Sequence, residues 1–170
     1  MGVCRFRALL STPLPRVWEF IIDPRNLHRW GPPTEPVTDI DRPLQQGDRV
    51  AFWRSDFFLR RHRDLLVEEV LPYHSFRVRE MSPKGRRMDV TATVSVEEAG
   101  SPGATWIEET ISYSLGDNPV ARWADRWLVN PLFQVAVRRG SSRAFRRLAD
   151  VLAQGREGGE AADGPRASGV

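Results

Sequence analysis

The chain has few residues able to cross-link, coordinate or anchor it. Among its 170 residues there is one cysteine, Cys4, so no internal disulfide can form and a reducing compartment suits it. Three histidines, His28, His62 and His74, fall in separate segments without CxxC or HxxxH spacing, so no metal site is expected. No apolar run approaches the roughly 20 residues of a membrane-spanning helix. Arg5 and Arg7 interrupt the N-terminus where a signal peptide would need its apolar stretch, so a cytoplasmic location is expected. QQG (45–47) and SPKG (82–85) read as plain turns rather than a phosphate-binding loop, and no serine stands in a nucleophile-elbow context. No cofactor is expected. Lysine is nearly absent, Lys84 being the only one, and arginine supplies the rest of the positive charge. The net charge of +3 is small and the arginines are scattered, so nucleic acid is not the expected partner.

What is present suits one folded domain. Hydrophobic residues make up 41% and charged residues 28%, ordinary values for a globular chain. A domain of this length buries about 70% of its unfolded surface, enough for a core or for a core wrapped around a cavity. The domain is expected over 1–153. The tail 154–170, rich in glycine and without a large apolar residue, is expected to be disordered.

The first segment, VCRFRALLS (3–11), alternates with Phe6, Ala8 and Leu10 on one face, which is the period of a strand. LPRVWEFII (14–22) has apolar residues at helical spacing and should stop near Asp23, because Pro24 disfavours helical geometry in the residue before it. A second short helix over 24–29 would deliver Trp30. From 36 to 115 the chain reads as strands: 37–41, 49–54, 60–71, 75–81, 86–96 and 105–115. The strongest signal is Met88, Val90, Ala92, Val94 and Val96 alternating with polar residues. Such one-sided alternation implies antiparallel strands with one covered and one wet face. A long helical segment over 120–154 follows, with Asp117 or Asn118 as cap, Pro119 at its start and a kink or break at Pro131.

The run PLPRVWEFIIDPRNLHRW (13–30) resembles the signature of the START/Bet v 1-like superfamily, the helix-grip domains that include polyketide cyclase/dehydrase-like proteins. Pro13 or Pro15, Val17, Trp18, Asp23, Pro24 and Trp30 carry the resemblance, which extends more weakly over residues 3–153. It implies an α+β helix-grip fold, in which a curved antiparallel sheet of about seven strands wraps around a long C-terminal helix, with two short helices after the first strand. It implies less about chemistry, because the superfamily holds carriers, receptors and cyclases alike.

If sheet and helix stand apart, the inward residues form a binding site. The expected lining is Trp30, Trp53, Met88, Val90, Ile107, Glu109, Ile111, Tyr113, Trp123 and Trp127, with Trp106 near the entrance and Phe57 and Phe58 at a lid or mouth. Glu109 shares the face of Ile107, Ile111 and Tyr113, where burial would penalise its charge unless it is paired. Glu109 and His62 are therefore the candidate acid/base residues, against the alternatives of a solvated strand position for His62 and a bulge turning Glu109 to solvent. Gly140, Ser141 and Ser142 thin the middle of the long helix and would leave volume beneath it. Arg139, Arg143, Arg146 and Arg147 form a stripe that is either a solvated face or a contact for an anionic partner such as a membrane surface. The expected function is binding or carriage of a small hydrophobic molecule. The alternatives are a polyketide cyclase/dehydratase-like enzyme and a protein-interaction adaptor, and the sequence also admits a homodimer.

Overall fold

The alternation of residues 3–11 becomes strand β1, Gly2–Leu10. The structure, a computed structural model, describes residues 2–31, 34–56, 59–81, 89–114 and 130–160. After β1 the chain enters α1 (Leu14–Ile22), with Pro15 in the first turn, where no amide donor is needed. The helix ends at Asp23, whose extended backbone (φ −86°, ψ 114°) is the conformation that Pro24 imposes on its predecessor. The Asp23 carboxylate then accepts a 2.9 Å hydrogen bond from the Arg25 amide and caps a 3-10 turn over Pro24–Asn26. α2 (Leu27–Trp30) follows directly and buries Trp30.

Six further strands complete one antiparallel sheet: β2 (Thr34–Pro36), β3 (Arg49–Asp56), β4 (Leu59–Leu71), β5 (Ser75–Glu80), β6 (Asp89–Glu98) and β7 (Thr105–Ser114). Their spatial order is β1-β7-β6-β5-β4-β3-β2, so β1 crosses the molecule to pair with the last strand while the others form a meander. The sheet curls, and the C-terminal helix α3 (Asn130–Glu160) packs on it: this is the α+β helix-grip architecture.

Two expected elements fall differently. The strand expected at 37–41 is the three-residue β2 instead. Val37 and Thr38 both donate their amides to the Ala51 carbonyl, and the Thr38 hydroxyl accepts from the Ala51 amide, which ends the ladder. The described part of α3 starts at Asn130, placing Pro131 in its first turn, and its helical backbone runs through Glu160, past the expected end at 154. Residues 120–129, with Trp123 and Trp127, lie outside the described residues, as do Met88, Phe57, Phe58, the caps at 117–119 and residues 161–170. Among the described residues no helix is long and apolar enough to cross a membrane.

The core sits where α1 and the C-terminal half of α3 meet the sheet. Val17, Trp18 and Ile21 of α1 and Phe145, Leu148 and Leu152 of α3 close over Leu10, Val94, Val96 and Ile107. The rings of Phe6 and Phe145 lie 5.3 Å apart, fixing α3 across β1. Arg147 donates to the Gly31 carbonyl at 3.2 Å and ties α3 to the end of α2.

Candidate functional site

The strand register assembles the helix-facing side of the sheet row by row. Ala8, Ile107 and Val96 stand side by side across β1, β7 and β6, under the packed core. The next row is Phe6, Glu109, Val94, Phe76 and Val70. The row after that is Cys4, Ile111, Ala92, Val78 and Val67, and beyond it Tyr113 lies between Gly2 and Val90. Burial is uneven along this direction, with Cys4, Val67 and Tyr113 buried in the outer rows. Ile107 and Val96 are buried, whereas Val90, Ala92 and Ile111 are half-buried and outside the packed core, among the described residues.

Glu109 marks the boundary between these two zones. Its carboxylate accepts a hydrogen bond from the Ser141 hydroxyl of α3, and Ser141 is itself buried. A carboxylate beside Phe6, Val94 and Ile111 loses solvation, and a donor aimed at it offsets part of that loss. Ser141 belongs to the inward stripe of α3 because it precedes Phe145 by four residues and Leu148 by seven. Gly140 faces open space instead, with no atom within 4 Å of where a Cβ would sit, so it leaves no volume beneath the helix.

A second polar pair stands on the same face, nearer the β2 edge. Arg63 is paired across the sheet with the buried Phe52, and Glu80 with Leu65, and their side chains form an ion pair at 18% and 19% exposure. The apolar row Ile111, Ala92, Val78 and Val67 separates this pair from Glu109. With rows about 6.8 Å apart and strands about 4.8 Å apart, Glu80, the nearer member of the pair, lies two rows and two strands from Glu109, roughly 17 Å away across apolar surface. Sequence reasoning singled out neither Arg63 nor Glu80, and it named Ser141 only as one of three small residues thinning the helix. The signal for the first two was available, because Arg63 alternates with Leu65 and Val67, and Glu80 with Phe76 and Val78.

The remaining candidates divide. Ile107 and Tyr113 are buried on the helix-facing side, and Tyr113 lays its ring over Gly2, where a Cβ would stand 2.2 Å from the ring. Trp30 is 8% exposed, and its indole N–H has no hydrogen-bond partner among the described residues. Trp53 and His62 are placed elsewhere: they are cross-strand partners on the outer face, with ring centroids 5.1 Å apart, because their neighbours Phe52 and Arg63 take the inner positions. Trp106 also faces outward, with the Arg7 guanidinium 4.4 Å from its ring. The structure therefore does not bring His62 together with Glu109. Cys4 is buried on the inner face, and burial pushes its thiol pKa up, against an opposing influence from Arg138. That keeps it a neutral packing thiol. Among the described residues no three His, Cys, Asp or Glu side chains converge to hold a metal.

Comparison with known proteins fits this architecture. The profile of a family described as "Polyketide cyclase / dehydrase and lipid transport" matches residues 8–153. The chain belongs to that family. Among solved structures, this member of the family is similar to protein CV1439 from Chromobacterium violaceum, with 18% identity, a TM-score of 0.62 and coverage of 89% of this chain and 96% of that one. It is similar to Ms6760 from Mycobacterium smegmatis at 21% identity and a TM-score of 0.65, covering 88% of this chain and 90% of that one. It is also similar to DynU16, a protein of the dynemicin biosynthetic locus, at 19% identity and a TM-score of 0.58, over 91% of this chain but 48% of that one. At such identities the likeness carries the fold alone. No curated protein matches the chain.

Proposed function

We propose that the chain binds a small, largely apolar molecule carrying at least one polar oxygen, held between the inner face of the sheet and α3. The observation that carries this reading is the half-buried strip of Val90, Ala92 and Ile111, outside the packed core and flanked by Glu109 and the Arg63–Glu80 pair. A ligand that loses about 200 Å² of apolar surface to such a strip gains roughly 5 kcal/mol before association costs. The polar centres then orient it.

A second reading is general acid/base chemistry on a polyketide-like chain, with Glu109 moving the proton and the apolar strip holding the substrate in place. It draws on Glu109 lying on the inner face against a hydroxyl donor, on the family description and on the likeness to DynU16.

Native mass spectrometry of freshly purified protein tests the first reading, combined with titration of 2-naphthol as a probe. A retained small molecule is expected in the wild type and should be lost in Ala92→Trp, which fills the strip, along with 2-naphthol binding. If no small molecule is retained and Ala92→Trp binds 2-naphthol as the wild type does, the reading fails. Glu109→Gln separates the two readings: carriage keeps the retained molecule unaltered, whereas catalysis accumulates a heavier or lighter precursor in its place.

A further inference from the structure

A cavity of about 500 Å³ opens between α1, the segment at residues 43–46 and the turn joining β4 to β5, away from Glu109 and the apolar strip. Ile22, Leu44 and Val70 form an apolar wall, Trp18 and Tyr73 contribute rings, and Glu19, solvent-exposed on α1, is the only charged residue lining it among the described residues.

Two independent features distinguish this cavity from a surface dent. The first is backbone strain. Tyr73 follows Pro72 in a turn closed by a 3.0 Å bond from the His74 amide to the Leu71 carbonyl, and its φ is 58°. A turn with proline at its second position and a positive φ at its third favours glycine there, and a bulky side chain is strained. Tyr73 is the only non-glycine residue with positive φ among the described residues. The chain thus carries a ring where geometry favours none, and that ring is half-exposed and 6.1 Å from the ring of Trp18. The second feature is charge. Glu19 has no ion-pair or hydrogen-bond partner among the described residues, Arg16 one turn earlier included. Asp23, four residues on in sequence, is paired with Arg25, and Asp48, which accepts from the amide of cavity-lining Gln45, is paired with Arg42. An unpaired carboxylate beside two aromatic rings and an apolar wall repels anions and attracts cations with an apolar body, since aromatic faces carry negative charge density.

We propose that this cavity binds a small organic cation, an ammonium group attached to an apolar or aromatic body. The body lies against Ile22, Leu44 and Val70, and the cation meets Glu19 and the rings of Trp18 and Tyr73. This site is separate from the one proposed on the inner face and stands whether or not that reading holds.

The test is an amide and indole NMR titration with benzyltrimethylammonium, benzyl alcohol and benzenesulfonate. Benzyltrimethylammonium should shift signals from α1, residues 43–46 and residues 71–74, and should bind about fivefold more tightly than benzyl alcohol. Benzenesulfonate should not saturate. Glu19→Gln should weaken the cation by about fivefold and leave benzyl alcohol unchanged. Tyr73→Gly should weaken both while the melting temperature holds, because relief of the strained φ offsets the lost ring contact. A folded variant that has lost affinity separates a binding role for Tyr73 from a structural one. Equal affinity for the three probes overturns the proposal. So does full affinity in Tyr73→Gly, or shifts confined to the strands around Glu109.

Discussion

The contact that joins sheet to helix at the site can be measured by removing Ser141. This side chain is 5% exposed and donates its hydroxyl to Glu109. A hydrogen bond to a charged group contributes about 1.5–3 kcal/mol. Alanine in a helix interior returns up to about 0.5 kcal/mol through its better propensity. Ser141→Ala should therefore lose about 1–2.5 kcal/mol, which in a domain of this size lowers the melting temperature by roughly 3–8 °C. In a Glu109→Gln background the same change removes only a neutral hydrogen bond, of about 1 kcal/mol. The cycle should then show a coupling of about 0.5–2 kcal/mol between the two positions. Urea unfolding followed by tryptophan fluorescence at neutral pH measures all four proteins. If Ser141→Ala is as stable as the wild type, the bond contributes no more than the propensity gain of about 0.5 kcal/mol, and the assigned sheet–helix interaction is refuted.

Leu148, fully buried under α3, should lose about 3 kcal/mol on truncation to alanine, read as a lower urea midpoint with an unchanged slope. Trp53→Ala, on the outer face and 38% exposed, should cost less than about 1 kcal/mol and leave 2-naphthol binding intact; lost binding would contradict the register. Arg63→Met leaves the Glu80 carboxylate without its partner at partial burial and should cost roughly 1–3 kcal/mol, part of which Arg63→Met combined with Glu80→Gln restores. Asp23 and Asp48 have pKa values held below the ordinary carboxylate range, chiefly by side-chain hydrogen bonds from Arg25 and Arg42. A folded-state pKa below the unfolded one gives stability that is present above about pH 4 and is lost as pH falls through the folded value. Asp23→Asn combined with Asp48→Asn should flatten the stability profile on the acid side of pH 4, as followed by urea unfolding at stepped pH.

Local signals made most of the fold legible. The break at Asp23-Pro24 is a steric rule acting on one residue, and the alternation from Val90 to Val96 reflects a strand with one covered face. Where both faces of a strand carry charge, alternation has nothing to sort. In RRHRDLL neither face is apolar, so His62 and Arg63 were separable only through their partners, exposed Trp53 and buried Phe52. The register shift between Val67 and Glu69 then lets both Val67 and Val70 face the core, which simple alternation forbids. The true β2 escaped for a similar reason: Val37 and Thr38 have strand composition, yet their amides share one acceptor and cannot propagate a ladder. Glu109 was readable as an inward carboxylate from its own strand. Ser141, its partner, lies 32 residues away on another element, and short-range pattern does not link the two.

The placement of Glu109 follows from how a gripping sheet must be filled. At one end α1 and the stripe Phe145, Leu148 and Leu152 supply enough side-chain volume to close the rows of Ile107 and Val96. Toward Ile111, Ala92 and Val90 the residue of α3 that meets Glu109 is the small Ser141. A carboxylate one row deeper would be enclosed on all sides by apolar groups and would bear the full cost of desolvation. One row further out, it would face the half-buried strip beyond the reach of the Ser141 hydroxyl, which is fixed in the helix stripe. Position 109 is thus the row of β7 where a carboxylate meets both a packed wall and a hydroxyl donor. A molecule held along the strip as proposed would rest against that carboxylate, so exchanging Glu109, more than any lining apolar residue, should alter which polar group it can carry.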